Sequence, residues 1–226
     1  MRIVNLLTSS AFTNSVALTG SNQFDNYPAV AETGTGSHPI VFIEDYKSVL
    51  RSQGVQDSQM YLAISDPVAL MLRNHPDVID RFKFTNAGGI ITNEMLSQLF
   101  GVKVVIGSAI SLNQQDIPSW VWGNNCFLGY AQAAPTQDDI SCAKTFVWTG
   151  GSDGMGQAIP GPMNTVDGYG VLEWIEPHLS EKKYWQSVDW YYDLRATAPE
   201  TGIAITNCLG TYPPVAMETV ASDVEG

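Results

Sequence analysis

The sequence predicts a mixed α+β fold, and three observations carry that prediction. Residues 39–106 alternate short helical patterns with two β-branched segments, whereas residues 118–209 are aromatic and β-branched segments separated by turn residues. The 226 residues are 44% hydrophobic, enough for a substantial core in one large or two intimate domains. No internal repeat interrupts this order.

Residues 1–38 are rich in Ser, Thr, Asn and Gly and are read as irregular, with "ETGTGSHP" as a loop. In "PIVFIEDYKSVLRSQG", Phe42, Ile43, Tyr46, Val49 and Leu50 fall at helical spacing. Pro39 stands at a first helical position and Gly54 beyond the end. "QMYLAIS", residues 59–65, reads as a short buried strand. Asp66-Pro67 then supplies an N-cap and a first-turn proline for a helix burying Val68, Met71 and Leu72. Pro76 cannot continue that helix, but with Asp77 and Asp80 it opens another carrying Val78, Ile79 and Phe82. "NAGG" turns the chain. Thr92 caps "NEMLSQLFG", with Met95, Leu96, Leu99 and Phe100 on one face and Gly101 at its end, and "VKVVIG" follows as a strand. Parallel pairing of the two strands would make residues 59–106 a crossover unit.

Farther on, "SWVWGNNCFLGYAQ", "AKTFVWTGG", "YGVLEWIE", "YWQSVDWYYDLRAT" and "GIAITNCLG" favour strands. Residues 149–170 form a long Gly/Pro stretch with little apolar content. It is expected to be a mobile loop until it orders against a neighbour. The tail from residue 213 has no pattern to bury and is expected to be disordered.

The formal net charge is −12, from 11 Lys and Arg against 23 Asp and Glu, which opposes binding to a phosphate backbone. Cys126, Cys142 and Cys208 lack CxxC spacing and read as small buried hydrophobes of a reducing compartment. The first 15 residues are too polar for a signal sequence, and no apolar run reaches the length of a membrane span.

Each chemical candidate has a plainer reading. His38, His75 and His178 all stand beside a proline, which favours helix boundaries or turns over ligation, and no zinc spacing exists. The glycine-rich stretch lacks the Lys-Ser/Thr of a phosphate loop, and "GSDG" lacks the pattern of a nucleophile elbow. Trp120 and Trp122, two apart on one strand face, fit a sugar platform. Packing against a neighbouring chain or the core is the more common use of such a pair. No catalytic, cofactor or metal residue is therefore assigned.

The order "YLAIS", "DPVALMLRNHPDVIDRFKF", "GGIITNEMLSQLFGVKVVIGSA", "VWGNNCFLGYAQ", "KTFVW" and "VDWYYDLRATAPETGIAITNCLG" resembles the major capsid proteins of tailed double-stranded-DNA bacteriophages. Encapsulins share that Hong Kong-phage capsid fold. Upstream, "ALTGSNQFDNY" is similar to the stretch leading into the family's spine helix, with Phe24 where tryptophan is usual. The likeness runs from Leu18 to Leu209 and is most specific at residues 59–109.

The resemblance implies an apical domain at 56–172, with a central mixed sheet flanked by short helices. A peripheral domain would comprise 1–55, with the spine helix at 39–51, and the returning strands of 173–212. Residues 213–226 would be a tail. It further implies a subunit of an icosahedral virion shell, assembled in the host cytoplasm from hexamers and pentamers around packaged DNA. Scaffold, portal and decoration proteins would be further partners, and no membrane is involved. Candidate subunit contacts are Trp120, Trp122, Gly150, Gly151 and Met155. The alternatives are an encapsulin-like compartment shell or, in another class, a virion-associated carbohydrate-binding or hydrolytic protein. Only 38 residues precede Pro39, where the family carries an arm and an extended loop. The chain alone is therefore expected to give monomers or small ring-like oligomers rather than closed particles.

Overall fold

The computed structural model describes residues 2–9, 11–28, 35–83, 90–112, 116, 118–132, 139–147, 151–152, 158–159, 164–166, 169–178, 183–190 and 192–210; from 147 to 190 it describes backbone only. The chain divides into two compact units, one formed by residues 1–142 with 196–226 and the other by 143–195.

The first unit begins with α1 (Arg2–Leu7) and β1 (Asn14–Ala17). Then come α2 (Pro39–Ser52), β2 (Met60–Ser65), α3 (Asp66–Arg73), α4 (Pro76–Phe82), α5 (Asn93–Phe100) and β3 (Lys103–Gly107). A hairpin of β4 (Ile110–Leu112) and β5 (Pro118–Trp120) leads to β6 (Cys126–Tyr130). The second unit carries β7 (Ala143–Val147), β8 (Gly151–Ser152), β9 (Ala158–Ile159), β10 (Asn164–Val166), β11 (Tyr169–His178), β12 (Lys183–Trp190) and β13 (Tyr192–Ala196). The chain returns to the first unit as β14 (Gly202–Thr206).

The centre of the first unit is a five-stranded mixed sheet in the order β1-β14-β6-β2-β3. The outer pairs, β1 with β14 and β2 with β3, are parallel; β6 runs antiparallel to both of its neighbours. The central position of β6 explains its unbroken apolar run, because all five of its residues are buried. Parallel pairing of β2 with β3 makes residues 60–107 the strand, three helices and strand unit that the hydrophobic pattern predicts.

The helices follow from their end signals. Proline occupies the first turn of α2, α3 and α4, where its missing N–H costs no intrahelical bond. The α3 cap is Ser65, one residue before the expected Asp66: its hydroxyl accepts from the Val68 N–H, and Asp66 is the first helical residue. Thr92 caps α5 as expected, and Gly101 closes it in the left-handed region at φ 63°. On α2, Pro39, Ile43, Lys47 and Leu50 form one buried stripe.

Lys47 is the unexpected member of that stripe. Its ammonium donates to the Phe100 carbonyl at the end of α5 (2.7 Å) and to the Glu44 carboxylate (2.8 Å), with Asp57 at 3.4 Å. It therefore caps the negative end of one helix from the core face of another. Lys47→Met keeps the stem but leaves the Phe100 carbonyl without its donor. It should lower the unfolding free energy by about 2 kcal/mol, measured by urea denaturation.

Three expectations need correction. Residues 1–38 hold regular structure: besides α1, β1 is an edge strand of the central sheet. After it, the Leu18 and Phe24 N–H groups donate to Thr206 and Cys208 carbonyls. Residues 149–170 are not a plain loop, since β8 pairs with β9 and β10 with β11. The third concerns Trp122, which lies in the turn after β5 and off the strand. The "NAGG" segment and the tail at 213–226 lie outside the described residues. Among the described residues, no helix is long and apolar enough to cross a membrane.

Candidate functional site

Chemistry, if the first unit holds any, would centre on His75, because Ser37, His75 and Asp77 lie close together. His75 is fully buried at the corner between α3 and α4. Its Nδ1 accepts the Asp77 backbone N–H at 3.2 Å, which makes it the N-cap of α4. In the neutral ring that leaves the proton on Nε2, 3.1 Å from the Ser37 hydroxyl, and Ser37 in turn donates to the Asn26 carbonyl at 3.1 Å. The hydrogen bonds therefore run from His75 through Ser37 to Asn26. A serine nucleophile needs the opposite polarity, with the imidazole accepting the hydroxyl proton. The Asp77 carboxylate pairs with His38 Nδ1 at 2.8 Å and lies 4.0 Å from His75. Tyr27 stands edge-on to the His75 ring and donates to the Met71 carbonyl. Burial pushes the His75 pKa down, with Asp77 opposing that shift. This cluster ties the segment before α2 to the α3–α4 corner.

An exposed ion network lies at the other end of α2. Arg51 bridges Glu44 and Asp57. Hydrogen bonds from Lys47 and then Arg51 draw the Glu44 carboxyl below its ordinary range, and the bond from Arg51 draws Asp57 to about 2. Among the described residues, no group of three or more His, Cys, Asp or Glu could hold a metal ion.

The remaining candidates concern surface contact. In the β4–β5 hairpin Ile110 lies opposite Trp120, Ser111 opposite Ser119 and Leu112 opposite Pro118. Direct partners share a face, so Ile110, Leu112, Pro118 and Trp120 form one apolar side, and the two serines meet at 3.4 Å on the other. Ile110 is 50% and Leu112 65% exposed. Trp122 does something else. Its ring lies on Gly107, where an added Cβ would collide with Cδ1 and Nε1 of the indole. Trp120 thus ends β5 on the hairpin's apolar side, whereas Trp122 follows in the turn and packs on Gly107, so the two do not alternate on one strand face. Gly151 lies in β8, paired with Ile159; Gly150 and Met155 lie outside the described residues. Sequence reading missed Ile110 and Leu112, although "AISL" alternates apolar and polar residues.

No family model matches the sequence. A curated relative, the "Major capsid protein" of Burkholderia phage BcepMu, is 32% identical over 100 residues, which are 43% of this chain and 32% of the relative. The crystal structure of a phage-related protein from Bordetella bronchiseptica superposes with a TM-score of 0.67 at 20% identity. The match covers 91% of this chain and 59% of that one. The capsid structure of cyanophage P-SCSP1u covers 86% of the chain and is itself 53% covered, at 10% identity; its TM-score of 0.47 is too low to add to the fold assignment. The chain therefore spans about a third of its curated relative and about three-fifths of the phage-related protein. Its fold is the α+β fold of that phage-related protein, and its sequence is similar to a phage major capsid protein.

Proposed function

We propose that this chain is a structural subunit of a bacteriophage capsid and acts by associating with copies of itself. The sequence similarity to a phage major capsid protein carries the reading. The apolar side of the β4–β5 hairpin supports it, since exposed, adjacent apolar side chains mark contact surfaces. The excess of 23 acidic over 11 basic residues suits a wall around DNA better than a protein that grips it. The polarity of the His75–Ser37 pair favours a structural role over a hydrolytic one. On this reading the partners are further copies in hexamers and pentamers, together with scaffold, portal and decoration proteins, and the subunit is built into the virion.

Sedimentation from micromolar to millimolar concentration tests the proposal. The chain should form capsomer-sized oligomers, and Leu112→Asp should weaken their association about tenfold or more without changing the circular dichroism spectrum. Association of the parent chain that Leu112→Asp leaves unchanged would overturn the reading.

A further inference from the structure

All three cysteines are thiols, and two of them touch. Cys126 opens β6, Cys208 follows β14, and their sulfur atoms stand 3.3 Å apart with both residues almost completely buried. The backbones around them are fixed side by side. Ile205 lies opposite Cys126 across the antiparallel pair, the Cys208 N–H donates to the Asn124 carbonyl at 2.9 Å, and the Cys208 carbonyl accepts from Phe24 at 2.7 Å. A disulfide bond is about 2.05 Å long, so the sulfurs need close by only a little over about 1 Å.

We propose that Cys126 and Cys208 are a redox pair, open as two thiols under reducing conditions and closed as a disulfide by a small oxidant such as hydrogen peroxide. The inference does not depend on the shell reading. Both sulfurs are buried, so the oxidant enters by a local opening; we assign the first attack to Cys208, which is flanked by exposed Asn207 and lies two residues from exposed Gly210 at the end of the sheet. Its thiolate attacks one peroxide oxygen, the O–O bond breaks, and a sulfenic acid and hydroxide form. The Cys126 sulfur then attacks the Cys208 sulfur. The S–O bond breaks, the S–S bond forms, and the departing hydroxide leaves as water with the Cys126 proton. Two thiols and one peroxide thus give one disulfide and two waters, and two electrons pass from sulfur to oxygen. Burial pushes the Cys126 thiol pKa up, so Cys126 suits the second, resolving step better than the first.

The bond would join residues 82 positions apart, spanning the chain's whole excursion into the second unit. The test is to treat the folded full chain with hydrogen peroxide, remove the oxidant, alkylate it in denaturant without reductant, and measure intact and peptide masses. Two of the three thiols should escape alkylation. The protein should lose the mass of two hydrogens, a peptide joining Cys126 to Cys208 should appear, and dithiothreitol should reverse all three changes. Cys142→Ser should behave like the parent, while Cys126→Ala and Cys208→Ala should each lose the cross-link. The parent chain alone decides the matter if either alanine variant fails to fold. Three alkylatable thiols after peroxide would overturn the proposal. So would added oxygen without a cross-link, a bond to Cys142, or a bond that forms only in urea.

Discussion

Replacing Leu128 by alanine should lower the unfolding free energy by about 3–4 kcal/mol. Leu128 is fully buried in β6, opposite Leu62 of β2 on one side and Ile203 of β14 on the other. Both of those residues are themselves almost fully buried, so no solvated side chain can swing in to fill the space left by the isobutyl group. Urea denaturation should show a lower midpoint with an unchanged slope. A loss below about 1 kcal/mol would mean that the sheet repacks around the gap and that β6 is not its rigid centre.

His75→Ala should have the next largest effect, about 3 kcal/mol, from loss of the α4 cap together with a buried ring. His75→Asn retains a capping oxygen and should recover about 1 kcal/mol of that loss. Proton uptake adds a second signature. The folded chain holds the ring below its ordinary pKa, while the unfolded chain titrates near about 6.5. As pH falls through that value the unfolded state binds a proton that the folded state refuses, so stability declines from there downward. Asp57 and Glu44 act lower, because their folded pKa values are depressed. Their contribution is present above the ordinary carboxylate range and is lost as pH falls through it, for Asp57 toward about 2. The parent should therefore lose stability in two stages on acidification. His75→Asn should lose only the upper stage. An unchanged pH profile in that variant would show that His75 binds its proton equally in the folded and unfolded chain.

What could be read in the sequence was local. Pro39, Pro67 and Pro76 mark three helix starts because proline fits a first helical turn and little else in a helix. Thr92 and Gly101 bound α5 for equally local reasons. Features set by distant partners were not legible. "NSVA" is too short and too polar to declare itself a strand, and it becomes one by pairing with β14. Lys47 interrupts an apolar stripe, and the nearby Phe100 carbonyl with the Glu44 and Asp57 carboxylates explains its burial. Of the surface candidates, Trp120 and Trp122 share a sequence pattern but not a strand. The chain leaves β5 after Trp120, and Trp122 packs on the bare backbone of Gly107. The Ser65 cap was missed because Ser and Asp are nearly equal caps and stand side by side.

The pairing of β1 with β14 sets a timetable for biosynthesis. A strand at residues 14–17 must wait for partners at 203–206, and at about 5–20 residues per second the ribosome delivers them some ten to forty seconds later. Until then the half-built sheet can hold β2, β3 and β6, whose hydrogen-bonding edge toward β14 stays open. Nascent chains are therefore most vulnerable to sticking together late in translation. A slow codon run or a pause placed between residues 170 and 201 should increase aggregation in the cell, whereas the same pause before residue 60, ahead of the open-edged strands, should not.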